Sequence, residues 1–190
     1  MTLHTYVYYA FFYLFNMHIC MYVRLQRSFR IIFTSSEAKF DKDLLEVKID
    51  IRNNSNEESV LNAKLNILQQ LDDLEISYGL AMQLQTQNYT TTISRSLHLC
   101  NFFKDHSLDP FLRFIYEGLV THGNLMKSCP IQKGVYFVRE YKIDEELFPS
   151  YVPETNFLAT LGISKRKKTN SVQILLIKVN VKIDKSKGYT

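Results

Sequence analysis

Four stretches of this chain alternate apolar and polar residues with a period of two, and that periodicity settles the fold class before any other property is consulted. In Leu45-Glu46-Val47-Lys48-Ile49-Asp50-Ile51 every second residue is apolar and every other one is charged. Leu61, Ala63, Leu65 and Ile67 alternate with Asn62, Lys64, Asn66 and Leu68. Leu74, Ile76, Tyr78, Leu80, Met82 and Leu84 are interleaved with Glu75, Ser77, Gly79, Ala81, Gln83 and Gln85. Leu175, Ile177, Val179, Val181 and Ile183 are separated by Leu176, Lys178, Asn180 and Lys182. A helix would scatter these apolar residues around its axis, whereas a strand lines them up on one face. Such segments predict antiparallel strands with one buried and one wetted side.

Polar breaks separate them: Asn53-Asn54-Ser55-Asn56, Gln69 to Asp73, and Gln87-Asn88-Tyr89. Further strands are expected over 90–100, 134–143 and 157–164, with Lys165-Arg166-Lys167-Lys168-Thr169-Asn170 as a hairpin connection into the last one. Seven or eight strands at this spacing read as a mainly β, immunoglobulin-like two-sheet antiparallel β-sandwich. One stretch departs from the rhythm. Asp109 as N-cap, Pro110 at the first helical position and Gly123 past the end predict one short helix at about 109–122, its apolar stripe formed by Phe111, Ile115 and Leu119.

With 46% hydrophobic and 22% charged residues over 190 positions, the chain is ordinary for a globular protein, and disorder, collagen-like repeats and a polytopic membrane protein are excluded. Charge is unevenly placed. Residues 37–75 carry ten acids against five bases, a net of −5, while residues 164–190 carry eight bases against Asp184 alone, a net of +7. The run Lys165, Arg166, Lys167, Lys168 reads first as a solvated hairpin tip, and second as a contact for an anionic membrane surface. Nucleic acid is not expected, because no stacking motif accompanies the charge.

From Tyr6 to Val23 no side chain is charged. A stretch of that length fits a signal-peptide core over 1–23 better than a membrane span, which needs about 20 apolar residues. The expectation is a secreted protein, with an uncleaved N-terminal membrane anchor as the alternative. Residues 24–37 read as a lead-in, 38–185 as one domain and 186–190 as a basic tail. Asn53-Asn54-Ser55 and Asn88-Tyr89-Thr90 are glycosylation sequons. Once Cys20 leaves with the signal, Cys100 and Cys129 remain, which suits one disulfide or two buried free thiols.

Catalytic motifs do not occur: there is no Gly-rich phosphate loop, CxxC, HExxH or GxSxG. His98 and Cys100, two apart on one expected strand face, would make a nucleophile pair only if the thiol were free. Asp105, His106, Asp109 and His122 have no regular metal-ligand spacing. The reading is a non-enzyme without metal or cofactor. Aromatic residues, 13% of the chain, suit either a packed core or the lining of a cavity between sheets.

The second half carries a recognisable series: Ser96-Leu97-His98-Leu99-Cys100-Asn101-Phe102-Phe103, Asp109-Pro110, Gly123-Asn124, Ser128-Cys129-Pro130, Gly134-Val135-Tyr136-Phe137, Phe148-Pro149 and Pro153-Glu154. This resembles a large insect, mainly fly, family long labelled a domain of unknown function. That family is related to the CheB chemosensory proteins and to the ML lipid-recognition domains of the ganglioside activator and the Niemann–Pick type C cholesterol carrier. The resemblance implies a secreted ML-like sandwich whose sheets part to hold a lipid or other hydrophobic small molecule, a Cys100–Cys129 disulfide, and no catalytic residues. A further cysteine pair common nearer the N-terminus in the family is missing here. On this reading Leu65, Ile67, Ile76, Tyr78, Leu80, Leu97, Leu99, Phe111, Ile115, Phe137 and Ile177 line the cavity, and the protein serves chemosensation. The alternative is a closed sandwich that recognises a receptor or other protein in reproductive or immune secretions.

Overall fold

The computed structural model describes residues 29–54, 59–84, 88–145, 148, 151–166 and 171–185. Its elements are β1 (Arg30–Phe40), β2 (Leu45–Asn53), β3 (Ser59–Ile67), β4 (Leu74–Gln83), β5 (Tyr89–His98), α1 (Leu99–Lys104), a 3-10 turn (His106–Leu108), α2 (Pro110–Val120), β6 (Gly134–Tyr141), β7 (Asn156–Arg166) and β8 (Ser171–Asp184). They form two sheets, β1-β8-β7-β4-β5 and β2-β3-β6, with every pairing antiparallel. The β-sandwich read from the alternation is therefore present, and each expected strand forms within a few residues of its expected limits.

Three expectations need correction. The lead-in at 24–37 is structural from Arg30 onward: β1 pairs along its length with β8. A register shift between Phe33 and Ser35 moves the inward set from Ile31 and Phe33 to Ser36, Ala38 and Phe40, which breaks the period-two signal. The strand expected to run through Cys100 stops at His98, opposite Glu75, because β4 begins at Leu74 and offers no ladder further on. Past that point the backbone satisfies its own hydrogen bonds as α1, burying Leu99 and Phe102. This short turn of helix precedes the expected one, which forms over Pro110–Val120. Finally, Lys165 and Arg166 are not in the connection; they pair with Val172 and Ser171 in the ladder. The expectations for residues 1–28, for Lys167 and Lys168, and for the tail at 186–190 lie outside the described residues.

Five strands face three. At about 4.8 Å per strand the larger sheet is about 24 Å wide and the smaller about 14 Å, so part of the larger inner face needs another cover. On the β1 side the sheets meet directly. The Phe33 N–H donates to Ser59 Oγ at 2.8 Å, Asn53 Nδ2 donates to the Phe33 carbonyl at 3.1 Å, and Ser59 Oγ donates to Asn53 Oδ1 at 2.7 Å. The β4–β5 side is covered by α1 and α2. The Cys100–Cys129 disulfide, with Cα atoms 5.5 Å apart, ties α1 to the segment entering β6. An isolated bridge pairs Leu71 with Ile131 nearby.

The end of α2 docks on β6 through Gly123-Asn124. Asn124 Oδ1 accepts the Phe137 N–H at 2.7 Å and Asn124 Nδ2 donates to the Val135 carbonyl at 3.0 Å. A Cβ at Gly123 would lie 1.8 Å from the Phe137 carbonyl oxygen, so only glycine permits this approach. Two buried clusters result. One gathers Leu45, Ile67, Leu74, Ile76, Tyr78, Leu99, Phe102, Leu112 and Leu175; the other gathers Phe29, Ile31, Phe33, Leu61, Val181 and Ile183.

Gly123→Ala is expected to destabilise the protein by about 1–3 kcal/mol through overpacking against β6, measured as a lowered urea midpoint. The Cys100→Ser/Cys129→Ser double variant should lose about 3.5 kcal/mol by release of the loop constraint; an unchanged urea midpoint would contradict a clipping role for the bridge.

Candidate functional site

The inner face of the five-stranded sheet is built in cross-strand rows. Leu97, Ile76, Ile163, Leu175 and Phe40 form one; Arg95, Tyr78, Leu161, Ile177 and Ala38 the next; Ile93, Leu80, Ala159, Val179 and Ser36 the third. Ile76, Ile163 and Leu175 in the first row are buried. In the second and third rows Leu161, Ile177, Leu80, Ala159 and Val179 remain partly accessible. β7 is the middle strand, where inward side chains should be the best covered. Leu161 packs against the first cluster, Phe157 and Val179 pack against the second, and Leu80 and Ala159 between them belong to neither. Leu80 and Ala159 thus form a partly accessible apolar seam between the two clusters.

Most residues expected to line a cavity are packed in or on the first cluster. Ile67, Ile76, Tyr78 and Leu99 are buried in the first cluster, with Leu65, Leu97 and Ile177 packed on it. Leu80 sits in the seam. Phe111 stacks on Tyr78 with ring centroids 5.6 Å apart, and Ile115, half-buried, follows one helical turn later on the same stripe. Phe137 is misplaced in that list. It pairs with Lys64 on the outer face of the smaller sheet, beneath the Arg139 guanidinium at 4.3 Å from its ring. There it lines an outward concavity of about 480 Å³ with Lys48, Asp50, Lys64 and Arg139. The inward residues of β6 are Tyr136, on the first cluster, and Val138, buried at 4% exposure.

Beside the seam lies a polar cluster that alternation did not single out. Asp109, only 3% exposed, caps α2: its Oδ1 accepts the Leu112 N–H at 2.9 Å. Its Oδ2 accepts the Tyr78 hydroxyl proton at 2.6 Å, which pins the start of α2 to β4. Arg95, opposite Tyr78 on β5, brings Nη1 to 3.8 Å from Oδ2. Burial pushes the Asp109 carboxyl upward, but the Leu112 N–H, the Tyr78 hydroxyl and the Arg95 charge outweigh it and hold the group below the usual aspartate range. The Tyr78 phenol is pushed up to about 12, first by burial and then by its bond to Asp109. A concavity of about 520 Å³ opens here, lined by Arg95, Leu97, His98, Asn101, Leu108 and Asp109. Arg95 had a sequence signal: it occupies the inward phase between Ile93 and Leu97.

Other candidates do not converge. Cys100 is bonded to Cys129 and sits in α1, so it neither offers a thiolate nor shares a strand face with His98, whose Nε2 lies 3.2 Å from Asp73 Oδ1. His106 stacks on Phe102 at 4.9 Å, and His122 Nδ1 lies 2.9 Å from the Gly118 carbonyl. Among the described residues no group of three His, Cys, Asp or Glu is placed to hold a metal. No helix among them is long and apolar enough to cross a membrane. Lys165 pairs with Asp72 at 3.3 Å and Arg166 with Glu75 at 3.6 Å. Asn88 is exposed at the foot of β5; Asn53 is exposed too, with its carboxamide engaged by Phe33 and Ser59.

Residues 76–159 match the model of the DUF1091 family, described as protein of unknown function. The match takes in nearly all of β4, then β5, both helices, β6 and the start of β7, so Tyr78, Leu80, Arg95, Asp109 and the disulfide all lie inside it. No curated protein matches the chain.

Asp109→Ala should cost about 2–4 kcal/mol, since it removes a cap and leaves the Tyr78 hydroxyl unpaired. Because the folded-state value of Asp109 is depressed, its stabilisation is present above the ordinary value of 3.8 and is lost as pH falls through the lower folded-state value. Urea unfolding across that range should show a shallower acid dependence in Asp109→Asn than in the parent; equal slopes would refute the assignment.

Proposed function

We propose that this chain is a secreted, non-enzymatic binding protein of the insect ML-like class, which holds one lipid or other hydrophobic small molecule between its sheets for chemosensory use. The carrying observation is the partly accessible inner face of the central strand: Phe157, Ala159 and Leu161 on β7, with Leu80 and Ile177 beside them. An apolar surface left uncovered in the middle of a sandwich loses the transfer free energy that a bound alkyl chain would restore, about 0.8 kcal/mol per CH₂. The disulfide, stable chiefly in oxidising compartments, supports export, and the DUF1091 match supports the family resemblance.

Native mass spectrometry of protein secreted from insect cells, before and after solvent extraction, tests this reading. The expected result is one extractable apolar adduct. In a homologous series of ligands each added methylene should tighten binding about fourfold. Leu80→Glu, at a position already half-open, should fold yet lose binding, because the carboxylate would be desolvated by the ligand. No adduct, together with no uptake of an apolar dye by extracted protein, would overturn the proposal.

A second reading, recognition of another protein, is favoured by apolar groups facing outward on the helical side: Leu108 at 56% exposure, Phe114 at 43% and Phe111 at 36%. It requires a partner whose capture survives delipidation.

A further inference from the structure

Arg95 stands on the inward phase of the edge strand β5, beside the apolar seam, with its side chain 64% exposed, and the fold makes little use of it. Its cross-strand partner Tyr78 points into the core, so Arg95 shares that face, between Ile93 on the seam side and Leu97 on the cavity side. Its one ionic partner among the described residues is Asp109, at 3.8 Å, beyond hydrogen-bonding distance. Asp109 leans on it only in part: both carboxylate oxygens accept closer hydrogen bonds, from Leu112 and Tyr78, and the Arg95 charge adds to these. The guanidinium's donors are thus left to a concavity of about 520 Å³. Asn101 lines the same space and is exposed, with no side-chain hydrogen bond among the described residues. The remaining lining is Leu97, Leu108 and Ser96, whose hydroxyl bonds Glu75, with His98 facing Asp73.

We propose that this concavity is a head-group site for an oxyanion, a carboxylate or a phosphate, carried on an alkyl chain that runs past Ile93 into the seam at Leu80 and Ala159. The inference rests on the binding function proposed above and sharpens it: the ligand is an anionic amphiphile rather than a neutral wax or hydrocarbon. A planar guanidinium offers a paired donor edge to two oxygens of one head group. Asn101 adds a neutral donor, and the one buried carboxylate nearby has both oxygens directed to Leu112 and Tyr78. Neutral alkanols would keep the chain contacts and forgo the charge-assisted bonds.

Displacement of a fluorescent apolar dye from the full chain by dodecanoate, dodecyl phosphate and dodecanol provides the test. The anionic ligand that fits should bind about tenfold or more tightly than dodecanol, and the better of the two anions identifies the head. Arg95→Gln should erase that advantage while leaving dodecanol affinity and the urea midpoint nearly unchanged; Arg95→Lys should restore part of it. If dodecanol binds as well as both anions, or Arg95→Gln weakens all three alike, the head-group site is overturned while the apolar cavity stands. If none of the three displaces dye, or the dye does not bind, both inferences fall.

Discussion

The mismatch between a five-stranded and a three-stranded layer is the constraint from which the rest of this molecule follows. Antiparallel sheets of unequal width cannot cover one another, and apolar side chains on the overhanging strands must be buried by something else. Here the overhang falls on β4 and β5, and the chain covers it with the helices that interrupt its strand rhythm between β5 and β6. Those helices need anchors on both layers. Tyr78 and Asp109 hold one end of α2 to the larger sheet, Gly123 and Asn124 hold the other to β6, and the Cys100–Cys129 bridge fixes α1. A cover built of short helices and side-chain clamps is less continuous than a facing sheet.

That arrangement also explains why polar and apolar features adjoin at the site. A helix that starts against a sheet brings a capping carboxylate into a dry environment, where it must be matched by donors. Tyr78 and the Leu112 N–H supply the closest of them, and the Arg95 charge, 3.8 Å away, adds to these without a hydrogen bond. The same edge that requires a cover thereby leaves a cation beside greasy surface.

Alternation along the chain exposed the sandwich because one-sided burial writes itself into every second residue. It failed where both phases look alike or where the backbone slips. On β6 the run Val135-Tyr136-Phe137-Val138 is apolar in both phases, so nothing in it says that Tyr136 and Val138 face inward and Phe137 faces out. On β1 the shift after Phe33 changes phase, and Ser36 and Ala38 are too small and polar to mark the inward side. Leu99 and Cys100 read as continuing strand because the missing partner for β5 is a fact about β4, remote in sequence. The Asp109 cap was legible from Asp-Pro ahead of an apolar stripe; its bond to Tyr78 joins positions 31 apart and leaves no local trace.

The pairing of β1 with β8 carries a kinetic implication. Thr34 reaches the Asn180 carbonyl across 146 positions of sequence, so during synthesis the first described strand waits for the last before it has a ladder. Until then Ile31 and Phe33 are greasy groups on an unzipped margin, and the hairpins β2–β3 and β4–β5 assemble ahead of them. Folding of this topology is set by that distant closure, which makes it slow for its size and leaves the nascent protein dependent on whatever shields its opening segment meanwhile.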